Sequence, residues 1–144
     1  MVTEKRYFKI PIPLIDEQKK SPLFRDLYLT EIGEIEVDGG TIWSSNSKLE
    51  NCLLVYCTKG SGILMLIGEQ VPVTGDQFFI IPKGEEFKFY SEIDVNSQLL
   101  TAFFNGKKVK QMEKEFSVVR HLIPSVNNRV ANREMLFDEI FNNL

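Results

Sequence analysis

The strongest constraint on this chain lies between Leu27 and Phe104, where short apolar runs follow one another with glycine-bearing breaks and no stretch long enough for a helix. The runs are LYLTEIGEIEV, GTIWS, NCLLVYCT, GILMLI, EQVPV, QFFII, EFKFYS and SQLLTAFF. Between them stand Asp38-Gly39-Gly40, Lys59-Gly60-Ser61-Gly62, Gly68-Glu69, Thr74-Gly75-Asp76 and Pro82-Lys83-Gly84, residues that accept turn geometry. Such spacing predicts an antiparallel barrel or sandwich. Gly60 and Gly62 are expected to give one hairpin its positive φ. Gly75 with Asp76 should form the next turn, and Pro82 should stop a buried strand so that Gly84 reverses it. In GILMLI both parities are apolar, Ile63, Met65 and Ile67 against Leu64 and Leu66, so both faces of that strand are expected to be covered.

The flanks read differently. Residues 1–26 hold Pro11, Pro13 and Pro22, too many for a central strand and unfavourable in a helix, which predicts an extended arm. Leaving Tyr7, Phe8, Ile10, Ile12, Leu14 and Ile15 in water forgoes about 1.5–3 kcal/mol per fully buried side chain. The arm should therefore lie on the β body, either patching a sheet edge or covering a pocket. Over residues 106–144 the period lengthens to three and four. Val109, Met112 and Phe116 share one face of KKVKQMEKEF, SVVRHLIP reads as extended up to Pro124, and Leu136, Phe137, Ile140, Phe141 and Leu144 form a broad helical stripe. Two C-terminal helices are expected. The second stripe needs an apolar partner, either the chain's own barrel or a second copy across a dimer interface.

Composition narrows the function. With 43% hydrophobic and 26% charged residues over 144 positions, the chain fits one globular domain. A net charge of −3, with no basic run beyond Lys107-Lys108, supplies no field for a phosphate backbone, so direct nucleic-acid contact is not expected. No segment approaches the roughly 20 apolar residues of a membrane helix. The start, MVTEKRYFKIPIP, carries charges where a signal peptide needs apolar residues, so the cytoplasm is the expected location. Cys52 and Cys57 lie an odd number of residues apart in one run, hence on opposite faces and about 17 Å apart at strand rise, too far for a disulfide. Two cysteines and one histidine are too few for the usual structural zinc sites. The sequence has no phosphate-cradling glycine loop and no Gly-x-Ser-x-Gly elbow, and its one histidine, His121, lies beyond the β-rich region. Glu34 and Glu36 share a strand face, and solvation of that face explains them better than acid–base chemistry does.

The run from Tyr56 to Phe87, YCTKGSGILMLIGEQVPVTGDQFFIIPKGEEF, resembles the core of the cupin sensor domain of bacterial arabinose-regulator (AraC) family transcription factors. The elements that carry the resemblance are Tyr56-Cys57, Gly60-Ser61-Gly62, the Gly75-Asp76 turn, and Phe78 to Ile81 leading into Pro82-Lys83-Gly84. The segments LFRDLYLTEIG, FFNGKKV, LIPSVNNRV and LFDEIFNNL also look like family segments. The resemblance implies a mainly β, cupin-like antiparallel β-barrel (jelly roll) over residues 27–105, preceded by the arm at 1–26 and followed by a helical dimerisation or linker segment at 106–144. It further implies a ligand-sensing, homodimeric domain whose small effector, a sugar or related metabolite, controls a DNA-binding helix-turn-helix half not found in this chain.

Metal-binding cupins converge a His-x-His pair, a Glu and a later His inside the barrel. The place after Pro82-Lys83-Gly84 where many relatives put a histidine is Phe87 here, so neither a metal nor another cofactor is expected. Where many family members carry an arginine and a strand rich in histidine and tryptophan, this chain has Ser44-Ser45 and Gln98 to Phe104. The candidate effector contacts are Trp43, Ser45, Tyr56, Phe87, Phe89, Thr101 and Phe103. They line either a pocket for a less polar effector or a core packed shut. The candidate dimer contacts are Leu136, Phe137, Ile140, Phe141 and Leu144. No enzymatic role is expected. The alternatives are a metal-free cupin enzyme of small-molecule isomerase type and a purely structural dimerisation module.

Overall fold

The turn residues cut the chain where the strands end. The structure, a computed structural model, describes residues 1–20, 28–66 and 68–106. Each apolar run is a strand: β2 (Tyr28–Val37), β3 (Ile42–Ser44), β4 (Cys52–Lys59), β5 (Ser61–Leu66), β6 (Glu69–Thr74), β7 (Gln77–Ile81), β8 (Phe87–Ser91) and β9 (Ser97–Asn105). They are preceded by β1 (Val2–Lys9) and α1 (Ile12–Lys20). The two expected C-terminal helices, their dimer contacts and His121 fall outside the described residues.

The strands form two antiparallel sheets, one ordered β1, β2, β9, β4, β7 and the other β3, β8, β5, β6. Between them lies one apolar core, with Ile35, Val55, Phe79 and Leu99 from the five-strand sheet facing Leu64, Val73, Phe87 and Phe89 from the four-strand sheet. This is a jelly-roll sandwich rather than the closed barrel expected, because among the described residues no strand ladder joins the two sheets. The edges account for the difference. β3 has three residues, and β6 carries Pro72, which has no N–H to offer.

Parity sets the burial. Along β4 both faces are buried, since Leu53, Val55 and Cys57 enter the core while Cys52 joins Ile80 and Phe104 in a second cluster on the outer face. The two thiols therefore point to opposite faces, as their spacing predicts. Along β5, by contrast, Gly62, Leu64 and Leu66 are buried but Ile63 is 39% exposed, so the expectation that both faces are covered fails there. Gly60 has φ +111, as a hairpin turn requires. Gly62 does not take positive φ. It is needed because a Cβ there would fall on the Tyr90 carbonyl and lie 2.7 Å from Phe89 Cζ. In the next turn the positive φ belongs to Asp76, at 68°, and not to Gly75.

The arm is extended and patches a sheet edge over its first part, and is corrected beyond it. Val2–Lys9 pairs antiparallel with β2, and Ile12–Lys20 is a helix. Proline explains the break between them. Pro11 ends the strand and its carbonyl accepts the Leu14 and Ile15 N–H groups, while Pro13 stands in the first turn, where a missing N–H costs nothing. Gln18 holds the helix to β2 by bonding both backbone groups of Leu29, at 3.3 and 3.4 Å. Of the segment's apolar residues only Ile10 is buried, whereas Tyr7, Ile12 and Leu14 stay exposed. Glu34 and Glu36 are cross-strand partners of this segment, in ion pairs with Arg6 at 2.6 Å and Lys5 at 3.7 Å.

Candidate functional site

One end of the space between the sheets is sealed. Ser91 and Ser97 are fully buried there: Ser91 donates its one hydroxyl proton to the Val95 carbonyl at 2.6 Å, and Ser97 has both Ser91 Oγ at 2.8 Å and the Ser61 carbonyl at 3.2 Å within reach of its own. The other end is looser. Trp43, Leu49, Val71 and Phe103 pack against the core but are only partly buried. Trp43 meets Phe87 edge to face at 4.7 Å between ring centroids.

The sequence candidates separate on this frame. Trp43, Phe87, Phe89 and Phe103 belong to one cluster, as the sequence suggests. Phe89 is 0% exposed and serves as packing. Ser45 Oγ accepts the Phe87 N–H at 3.1 Å while the Ser45 N–H bonds the Phe87 carbonyl, so this residue prolongs the β3–β8 ladder. Ser45 also borders a surface cleft of about 530 Å³ at the end of the four-strand sheet, shared with Ser44, Phe87 and Lys88. Tyr56 is buried, at 3% exposed, but it does not lie between the two sheets. It pairs with Leu100 and Phe78 on the outer face of the five-strand sheet and donates its hydroxyl to Asp76 Oδ1. A place for Tyr56 in the space between the sheets is therefore corrected, because the alternation that sends Val55 and Cys57 inward turns Tyr56 to the other face.

Thr101 faces the core between Gly33 of β2 and Val55 of β4. It is 6% exposed, and among the described residues its hydroxyl has no hydrogen-bond partner. The cross-strand row that contains it runs Tyr7, Gly33, Thr101, Val55, Phe79. The next row runs Lys9, Glu31, Phe103, Leu53, Ile81. Each passes from the solvent-facing edge to the packed centre: Tyr7 is 48% exposed and Phe79 0%. A Cβ on Gly33 would lie 2.9 Å from Thr101 Oγ1 and 3.7 Å from Tyr7 Cδ2, so only glycine lets β1, β2 and β9 pack this closely here. The Tyr7 phenol is pushed up to about 12 by desolvation, by its hydrogen bond to Glu31, and by the charges of Glu31 and Glu4. It therefore remains a donor across the neutral range.

Tyr7, Glu31 and Gly33 escaped the sequence reading. The prolines drew residues 1–26 into an arm, and only the register of β1 on β2 puts Tyr7 on the inner face. As to metals, no three of His, Cys, Asp and Glu converge among the described residues, and Phe87 stands in a cluster whose one member of those four types is Cys57.

Comparison with known proteins agrees with this architecture. Solved structures that share the fold include the cupin domain of Cnp3 from Schizosaccharomyces pombe, 10% identical over 80% of this chain and 72% of its own, with a TM-score of 0.54. A Thermotoga maritima protein described as a predicted oxalate decarboxylase is 11% identical over 67% and 76%, with a TM-score of 0.51. A cupin superfamily protein of Desulfitobacterium hafniense is 8% identical over 73% and 78%, with a TM-score of 0.50. At such identities the likeness is one of fold. No curated protein matches the chain. The family described as AraC-like ligand binding domain matches residues 46–144, more than half of the sequence. The chain belongs to the AraC-like ligand binding domain family.

Proposed function

We propose that this domain senses a small effector, which enters between the two sheets at the end marked by Trp43 and Phe103. It does so as part of a homodimeric cytoplasmic regulator whose DNA-binding function resides in a separate helix-turn-helix domain. The observation that carries this reading is the Thr101 hydroxyl. Burying a hydroxyl without a partner costs about 1–3 kcal/mol, and proteins rarely leave one so. A ligand group that reaches it recovers that cost, and the partly buried rings of Trp43 and Phe103 offer the apolar contact such sites use. Family membership supports the same reading. To act as a signal, the effector must prefer one arrangement of the flanking segments over another.

The test is a thermal-shift screen of sugars, sugar acids and small aromatics. A stabilising ligand is expected, and its effect should weaken in Trp43→Ala and Phe103→Ala. If no compound stabilises the protein, the purely structural dimerisation module takes precedence.

A further inference from the structure

We infer that the outer face of the four-strand sheet is a contact between two copies of this chain, related by a two-fold axis along the row Ile42, Tyr90, Ile63, Pro72. The contact is a second, weaker one, separate from the effector site and from the C-terminal stripe.

Register builds the row. Phe89, Leu64 and Val73 turn into the core, so their neighbours along β8, β5 and β6 turn outward. Tyr90 stands opposite Ile42 on one side and Ile63 on the other, and Ile63 stands opposite Pro72. Ile42 is 50% and Ile63 39% exposed, Pro72 is exposed and Tyr90 half-buried. Apolar side chains thus cross the whole sheet while open to solvent. On one side of the row Ser61, Thr74 and Glu92 join it around a hollow of about 330 Å³.

Charge chooses the occupant. Lys88 and Glu92 stand two residues either side of Tyr90 on the same face, and both are exposed. Glu92 accepts the Ser61 hydroxyl at 2.5 Å and keeps lone pairs to offer, while Lys88 has no ion-pair partner among the described residues. A half-turn about the row exchanges its two sides, so Lys88 of each copy meets Glu92 of the other. A half-turn about the strand direction would instead set Lys88 on Lys88. Opposite charges placed evenly about a shared centre make the patch its own complement, which is what an isologous contact requires. The same half-turn lays the second copy's Met65, a half-buried and adaptable side chain on the Lys88 side of β5, over the hollow. Strands of the two sheets then run nearly along one line, as sheets packed face to face do. Four strands at about 4.8 Å, and the stretch from Lys88 to Glu92 at about 3.4 Å per residue, give a face on the order of 300 Å² per copy. A stable complex buries roughly 800 Å² per partner, so this contact forms only at high concentration.

Sedimentation equilibrium of the whole chain from about 10 µM to about 1 mM, where weak contacts are half-formed, is the experiment. The mass at the dilute end reports any tighter contact, and the rise above it reports this face. We expect the mean mass to climb towards about double its dilute value. Lys88→Glu and Glu92→Lys should each weaken that step at least about fivefold, because each sets like charges together in both pairs. The two changes combined should restore it, and Ile63→Glu should abolish it. Circular dichroism and the melting temperature of each variant establish that it is folded. A mass that does not rise, or a double variant that associates no better than the single ones, overturns the inference. So does an Ile63→Glu variant that loses thermal stability while the rise persists, the sign of a face covered by the chain's own C-terminal residues.

Discussion

Two kinds of buried hydroxyl divide the inner space of this protein. Those of Ser91 and Ser97 are satisfied by each other and by backbone carbonyls, and they seal their end. Thr101 lacks such a partner, and Thr101→Val is therefore expected to stabilise the unliganded protein by about 1 kcal/mol in denaturant titration while weakening effector binding. Loss of stability in the variant would reveal a hydrogen bond that the register does not provide. Cys57 gives a second expectation. Burial pushes its thiol up to about 12 from 9.0, only partly offset by backbone hydrogen bonding at Lys59. Folding thus favours the neutral thiol, so its contribution to stability is complete below pH 9 and declines as the pH rises from about 9 towards about 12. A disulfide reagent at pH 8 should find no reactive thiol in the native protein and two after denaturation. Rapid labelling of the native protein would contradict the assigned burial.

Among the strands, β5 and β8 pack most tightly at Gly62, where a side chain would strike the Tyr90 carbonyl and the Phe89 ring. Gly62→Ala should cost about 1–3 kcal/mol by overpacking, measured as a lower denaturation midpoint. This glycine was legible in the sequence as a turn residue, but its reason was not, because close approach depends on which strand lies alongside. The same limit runs through the whole reading. Strands β2 to β9 were legible because alternation and turn residues are local signals. The helix Ile12–Lys20 was not, since Pro11 and Pro13 read as breakers until their place in its first turn is known. Tyr56 was misplaced by one step of parity, and Tyr7 was missed because the face a strand presents is fixed by its partner. Of the candidate site, the aromatic cluster of Trp43, Phe87 and Phe103 was readable as apolar residues of one body, while the Tyr7, Gly33 and Thr101 row emerges only from pairing.

The molecule as a whole is a two-sheet cup with one sealed end, one looser end and an N-terminal strand along the side of the five-strand sheet. Its family assigns it to ligand binding, and the proposed consequence is control of a dimer. If the stripe of Leu136, Phe137, Ile140, Phe141 and Leu144 forms that interface, Phe137→Glu with Phe141→Glu should sediment as a monomer with the β fold intact, and an unchanged dimer would refute the assignment. The central claim, that a small effector lies between the sheets, has a built-in reporter, because Trp43 is the only tryptophan in the chain and stands at the looser end. The decisive measurement is tryptophan emission during titration with any ligand that raises the melting temperature. A saturable change that tracks the thermal shift is the predicted result. Thermal stabilisation with Trp43 emission unchanged would put the ligand elsewhere and contradict the account.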